Sequence, residues 1–305
     1  MSHNVLEVHN LVKEYGNFRA VDGISFAVPK GKVIGFLGPN GAGKTTTIQM
    51  LLGITIPASG TIHYFGREFP KYRQDILQRI NYTSAFNSLL GRISTWENLL
   101  VYSHLYSIKN PQKKIMELVD YFGESDYLHK RYWDLSAGQK TRANIIKSLL
   151  NDPELILMDE PTASLDPDVA DKMLTLIENL RKEKEITILY TSHDMAEVTR
   201  VCDEVIFLDH GKITAHDTPL GLTKRIKHSE LRLVFDGKRS VIEEYLHENK
   251  YIHSFHNDIT VLIQVEEKFI PKIIFGLGKL EVWITDIEIK KPSLQDVFLQ
   301  IARAD

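Results

Sequence analysis

Residues 5–12 alternate apolar and polar side chains, the period of a strand buried on one face. Residues 18–28 continue in strand-like sequence. The run Val33-Ile34-Gly35-Phe36-Leu37 is apolar throughout and predicts a fully buried strand, with a helix over 46–52 after it. Short strands are expected at 61–65, before Gly66, and at 80–83. Between Ile93 and Leu150 the apolar period lengthens to that of helices, with candidates at 95–106, 111–121 and 137–150. Residues 155–158 (Leu-Ile-Leu-Met) form a short apolar strand. A helix at 168–181, a strand at 186–191 and a helix at 195–202 follow. Residues 205–209 and 212–215 flank His210-Gly211 as a hairpin would. Strands alternating with helices, several of them apolar on both faces, argue for a parallel sheet covered on both sides.

The pattern changes after Pro219. Residues 221–228 are polar and basic and read as a linker. Strands at 231–235, 251–256, 259–265 and 281–289 are then interleaved with helices at 240–248 and 268–277, the latter broken by Pro271 near its start. A last helix is expected at 294–302. Strand-helix-strand-strand-helix-strand is the ferredoxin-like order. The expected division is therefore a main α/β domain over 1–220, with a helical subdomain at about 86–150, a linker at 221–228, and a small α+β domain over 229–305.

Composition removes several functional classes. A chain of 305 residues suits two domains, and 43% hydrophobic with 25% charged residues is ordinary for a globular protein. The net charge of −3 carries no basic signature, so no nucleic-acid partner is expected. Cys202 is the single cysteine, which excludes an intramolecular disulfide and a thiolate metal cluster and suits a reducing compartment. It reads as a small packed apolar residue. No apolar run approaches the roughly 20 residues that span a bilayer, and the first residues lack a signal-peptide core. Any membrane-spanning part would belong to another chain.

Three motifs carry chemistry. Gly38-Pro39-Asn40-Gly41-Ala42-Gly43-Lys44-Thr45 fits G-x-x-x-x-G-K-[ST], between an expected strand and a helix opening near Thr46. Glycines let backbone wrap a phosphate chain, and the loop's N–H groups and the helix N-terminus face the anion. Lys44 would neutralise the outer phosphates and the Thr45 hydroxyl would ligate Mg²⁺. With Gly at about 7% of residues, a chance match in a chain this long is on the order of one in a hundred. Second, Leu155-Ile156-Leu157-Met158-Asp159-Glu160 delivers two acids at the carboxyl end of a strand, where open parallel sheets bind ligands. Asp159 is placed to hold Mg²⁺ and Glu160 to activate water. Third, Leu135-Ser136-Ala137-Gly138-Gln139 opens a helix: Ser136 and Gln139 stand as a capping box, and such a helix start is also an anion site.

Together these motifs resemble the nucleotide-binding subunit of ATP-binding cassette (ABC) transporters. Gly38–Thr45 and 155–160 match the two Walker motifs. Residues 135–139 are similar to the LSGGQ signature, with Ala137 for the first glycine. Ala163-Ser164-Leu165-Asp166 resembles the D-loop, Thr191-Ser192-His193-Asp194 the switch-histidine loop, and Tyr15 the aromatic that stacks on adenine. The resemblance covers residues 5 to about 219, with the motifs in order. It implies a P-loop NTPase of the ABC ATPase type: a parallel-sheet core, an antiparallel β subdomain and a helical subdomain, with the ferredoxin-like α+β domain appended.

The resemblance also implies a mechanism. ATP and Mg²⁺ are the expected ligands. Two copies would pack head to tail, each ATP lying between Gly38–Thr46 of one copy and Ser136, Gly138 and Gln139 of the other. Glu160, His193 and Lys44 would carry hydrolysis, His193 on the γ-phosphate, and Asp166 would cross the interface. Thr45 and Asp159 would hold the metal. Closure would move an integral-membrane transporter subunit, placing this chain in the cytoplasm, peripheral on the inner face of the membrane.

One position departs from the family. Aligning Trp96-Glu97-Asn98-Leu99 with the family's R-E-N-L puts Ala85 where a glutamine contacts metal or water. Alanine cannot hydrogen-bond through its side chain. Asn87 lies two residues out of register. At the other end, Asp286–Lys291 followed by Pro292-Ser293-Leu294-Gln295-Asp296-Val297-Phe298 resembles the tail of subunits serving drug- and antibiotic-resistance exporters. Two alternatives stay open beside the exporter ATPase. One is a non-transport ABC ATPase acting on ribosomes or DNA. The other, suggested by Ala85, is an ATP-binding regulatory subunit with weak turnover.

Overall fold

The computed structural model describes residues 4–85, 88–123, 125–163, 165–280 and 282–301. The chain divides into two compact units, Met1–Pro219 and Leu220–Asp305.

In the first unit β1 (Asn4–Tyr15) and β2 (Phe18–Pro29) form a long antiparallel hairpin in which Val5, Leu6, Val8 and Leu11 are buried, with the pairing register shifting around Leu11. β3 (Val33–Leu37) is buried at all five positions, as its apolar run requires. The phosphate-loop glycines lead into α1 (Lys44–Leu51), which starts two residues before the expected Thr46. β4 (Ser59–Tyr64) joins β1, and the two-residue β5 (Arg67–Glu68) extends that sheet to the order β2-β1-β4-β5. α2 (Arg73–Leu77) is a single turn, exposed at Arg73–Asp75 with Ile76 buried, before β6 (Ile80–Ser84).

α3 (Thr95–Leu105), α4 (Pro111–Phe122) and α5 (Ala137–Ser148) are the helical insert. Ser94 with Glu97, and Ser136 with Gln139, form complete capping boxes at the starts of α3 and α5. Pro111 opens α4 at a position where its missing N–H costs nothing. Leu89, Tyr127, Tyr132, Leu135 and Ala143 make this region's own apolar cluster.

β7 (Leu155–Asp159), α6 (Pro167–Lys184), β8 (Thr187–Thr191), α7 (Met195–Val201), β9 (Glu204–Asp209) and β10 (Lys212–Asp217) complete the unit. Its main sheet runs β10-β9-β3-β8-β7-β6. The pairs β6–β7, β7–β8, β8–β3 and β3–β9 are parallel, and β9–β10 is an antiparallel hairpin turned at His210-Gly211. Cys202 is buried beside this sheet, and burial pushes its thiol pKa up, as the packed-residue reading anticipates. No helix among the described residues is long and apolar enough to cross a membrane.

The expected linker at 221–228 is partly helical: α8 (Pro219–Thr223) runs into it, with Leu222 fully buried. Its polar composition hid the buried Leu222 and the half-buried Ile226. The second unit contains β11 (Ser229–Asp236), α9 (Arg239–Glu248), β12 (Ile252–Asn257), β13 (Thr260–Val265), α10 (Ile270–Gly278), β14 (Trp283–Lys290) and α11 (Leu294–Ile301). Its sheet is antiparallel in the order β12-β13-β11-β14. Leu231, Leu233, Phe235, Val261 and Ile263 from the strands pack with Ile242, Leu246, Ile273 and Leu277 from α9 and α10. Pro271 does not break α10 but lies in its first turn, after a 3-10 turn at Glu267–Phe269. Proline removes only a donor that a helix start leaves unused.

Candidate functional site

The phosphate loop joins the carboxyl end of β3 to α1. Gly38 and Gly43 have φ of 154° and 102°, backbone conformations that favour glycine. Space demands glycine there too: a Cβ on Gly38 would collide with the Leu208 carbonyl, and one on Gly43 with the Ala20 carbonyl. The loop is therefore moulded between β9 and β2, and it is pinned where the Gly211 N–H donates to the Ala42 carbonyl at 3.1 Å. Lys44 folds back along it, donating to the Gly38 carbonyl at 2.6 Å and the Pro39 carbonyl at 3.1 Å. Burial lowers the Lys44 pKa, and the charges of Glu160 and Asp159 act against that shift. Asn40 and Gly41 are exposed on the loop, Pro39 is half-buried, Thr45 is exposed and Thr46 half-buried at the helix start.

β7 ends in the two acids. Its parallel register sets Asp159 opposite Ser84 of β6 and Thr191 of β8. Both Asp159 oxygens are engaged: Thr191 Oγ1 donates to Oδ1 at 2.6 Å and Tyr82 Oη to Oδ2 at 3.3 Å. Tyr82 was not among the sequence-derived site residues, and Thr191 entered only as the first residue of the switch-histidine match, with no role of its own. The signal for them was strand register: Tyr82 lies two residues before Ser84, on the same face, and Thr191 is the last residue of the neighbouring strand.

Glu160 has φ of 51°, a left-handed conformation unusual for a residue with a side chain. The turn is held because its N–H donates to the Thr191 carbonyl at 3.1 Å and to Thr191 Oγ1 at 3.0 Å, while its own carbonyl accepts from Ala163 N–H at 3.1 Å. Strain of this kind collects where function needs a side chain aimed against local preference. Here it sends Glu160 Oε1 to 2.6 Å from His193 Nε2. The pairing joins two residues separated by a strand, a loop and an 18-residue helix.

The remaining candidates lie on other elements. Tyr15 pairs with Phe18 across the β1–β2 turn; its ring is half-exposed, with Lys13 Nζ 5.0 Å from the ring centroid. Ser136 is exposed at the start of α5, where its hydroxyl accepts from Gln139 N–H at 3.3 Å and Gln139 Oε1 accepts from Ser136 N–H at 3.0 Å. Gly138 is half-buried in the next turn. Asp166 stands exposed at the N-cap of α6 without making a side-chain capping bond. Ala85 follows β6 and lines a cavity of about 350 Å³ with Trp133, Ala137, Lys140 and Ala163. Asn87 lies outside the described residues.

A phosphate-loop sequence between a buried strand and a helix, and a strained acid facing a histidine across parallel strand ends, are the features of the candidate site. Residues 21–163 match the family model described as ABC transporter. The chain is 34% identical over 302 residues to the bacitracin transport ATP-binding protein BcrA of Bacillus licheniformis, covering 97% of each chain. The chain belongs to the ABC transporter ATP-binding proteins. It is also 30% identical to the linearmycin resistance ATP-binding protein LnrL of Bacillus subtilis, over 97% of this chain and 98% of the relative. The match to a Nod factor export ATP-binding protein I of Ralstonia nicotianae is 35% identical but covers only 70% of this chain. Among solved structures, cbiO1 of Clostridium perfringens, part of the ABC transporter complex cbiONQ, superposes with a TM-score of 0.66 at 25% identity, over 80% of this chain and 95% of that one. An ABC transporter ATP-binding subunit superposes equally well, with a TM-score of 0.66 at 26% identity over 72% of this chain and 92% of its own. The ABC ATPase architecture expected from the motifs is thus the observed one, and ATP binding and hydrolysis are its chemistry.

Proposed function

We propose that this chain energises export of an antibiotic through a separate membrane subunit, two copies closing head to tail around ATP. The observation that carries the reading is the 2.6 Å approach of Glu160 to His193 at the strand ends. It presents a carboxylate to act as base on the attacking water, beside an imidazole to contact the γ-phosphate. Lys44, once released from the Gly38 and Pro39 carbonyls, would meet the outer phosphates. Ser136, exposed at the α5 start, would serve the ATP of the second copy, with Gly138 and Gln139, and Asp166 would reach across. Tyr15, exposed at its hairpin, would stack on adenine.

The donor set suits Mg²⁺, a hard cation that prefers oxygen and keeps waters and phosphate oxygens as further ligands. Thr45 and Asp159 would hold it; bound there, it would neutralise charge on the phosphates. Thr191 and Tyr82 orient Asp159 for that task. No metal-specific residue is needed from the Ala85 loop.

Export, rather than another task, is supported by the span of the likeness. The bacitracin and linearmycin relatives match through the second unit as well as the first. A cytoplasmic position against the membrane subunit follows from the same reading. The test is to express the chain with its membrane partner in a sensitive host and measure inhibitory concentrations of bacitracin and linearmycin. Wild type should raise one of them, and Glu160→Gln should abolish the protection while ATP binding remains. Equal sensitivity with and without the wild-type pair would overturn the cargo class. Unchanged ATP turnover in Glu160→Gln would overturn the assignment of the base.

A further inference from the structure

Glu197 lies in the first turn of α7 and is 9% exposed, yet it belongs to none of the motifs. One oxygen of its carboxylate collects three hydroxyl hydrogen bonds. Thr162 Oγ1 donates to Oε2 at 2.7 Å, Ser192 Oγ at 2.8 Å and Tyr190 Oη at 2.9 Å. These donors come from separate places. Thr162 stands two residues after Glu160, Ser192 immediately precedes His193, and Tyr190 is in β8. Ser192 Oγ also accepts from the Asp194 N–H at 3.0 Å, and Asp194 Oδ1 accepts from the N–H groups of Ala196 and Glu197 at 2.8 and 3.3 Å. The backbone on both sides of His193 is therefore tied to one carboxylate, which also holds the segment following Glu160.

We infer that Glu197 is a positioning residue for hydrolysis: it clamps the loop after β7 to the loop after β8, so that Glu160 and His193 meet. The inference rests on the reading that those two residues act on ATP. A carboxyl oxygen suits this post: its two lone pairs let it accept from several hydroxyls at once, and a buried polar group needs such partners. Misplacing a reacting group by about 1 Å can cost ~100-fold in rate, so a loosened clamp is expected to show in kcat and not in ATP affinity.

The experiment compares full-length wild type, Glu197→Ala and Glu197→Gln for ATP turnover and, without nucleotide, for backbone hydrogen exchange. Glu197→Ala should lower kcat at least about tenfold with KM for ATP within about twofold, a misalignment effect. Glu197→Gln, which keeps an acceptor oxygen, should recover kcat to within about threefold of wild type, the scale of one weakened hydrogen bond. Exchange should quicken in Glu197→Ala at residues 160–163 and 191–195 but not at 38–46, and return in Glu197→Gln. A folded Glu197→Ala with kcat within twofold of wild type, a loss confined to KM, or unchanged exchange at both loops would overturn the inference. If Glu197→Ala does not fold, Thr162→Val and Ser192→Ala replace it. Each should lower kcat several-fold, and their effects should be less than additive with Glu197→Gln; additive effects, or none, would overturn it. If wild type and Glu160→Gln turn ATP over equally, the parent reading fails, and the exchange comparison alone decides whether the clamp exists.

Discussion

Lys147 is a cation held among neutral partners: its ammonium donates to the Tyr82 carbonyl at 2.9 Å and Asn81 Oδ1 at 3.3 Å, and it lies 5.3 Å from the Tyr102 ring centroid. Burial lowers its pKa from 10.5 to about 8. Between those two values the unfolded chain binds more protons than the folded one, so stability rises with pH across that window. Relative to Lys147→Met, which does not titrate, wild type should therefore gain on the order of 2 kcal/mol between pH 7 and pH 10. Urea melts of both proteins at the two pH values measure it; a constant difference would show that the ammonium is not held as described. In the phosphate loop, Gly43→Ala sets a methyl against the Ala20 carbonyl at φ of 102°. It should cost about 1–3 kcal/mol of stability and abolish ATP binding, read by a melt and a nucleotide titration. Lys44→Ala should lose ATP affinity and cost about 0.5–1.5 kcal/mol for each hydrogen bond it makes to the Gly38 and Pro39 carbonyls, read by the same melt and titration.

Among the elements, α5 carries two roles at one residue. Ser136 closes a capping box, so Ser136→Ala should cost about 0.5–2 kcal/mol in thermal or urea unfolding. Ser136→Arg puts bulk and charge on the same exposed helix start. On the head-to-tail reading it should abolish the ATP-dependent dimer that Glu160→Gln accumulates, measured by light scattering; dimers of equal abundance in the double variant would refute that reading. The turn after β6 supplies a second test. Ala85 brings no polar group, and Asp159 is oriented instead by Tyr82 and Thr191. Ala85→Gln should then raise turnover or Mg²⁺ affinity by no more than about tenfold, one hydrogen bond's worth. The long strands and capped helices were legible because their signals are local: alternation, apolar runs and capping pairs. β5 and α2 were not, being a two-residue pairing and one turn around Ile76, too short to carry a period.

For the whole molecule, the two units have separate apolar cores, each formed of residues from within its own unit. Residues 220–305 expressed alone should therefore melt cooperatively, and residues 1–219 should retain ATP binding. Calorimetry and nucleotide titration of the two fragments check this; a non-cooperative second fragment would mean that its core is insufficient by itself. The order of strands and helices in each unit followed from patterning. The sheet orders did not, since β3 pairs with β8 and β9, strands about 155 and 170 residues later in the chain.

What the sequence alone determined is the set of features written in contiguous residues: the glycine spacing around Lys44, the acids ending the 155–158 strand, the S-x-x-Q cap at Ser136, and through their order the family. Tertiary structure decided how those pieces act on one another. Tyr82, Thr162 and Glu197 carry no motif of their own, and Tyr82 reaches the site by parallel register, Thr162 by the loop after β7 and Glu197 from the first turn of α7. Whether Glu160 faces His193 depends on a left-handed turn stabilised by Thr191 from the adjacent strand. Non-local hydrogen bonds of this kind exist only once the chain has paid the entropy of closing its long loops. Residue spacing along the chain therefore holds no trace of them.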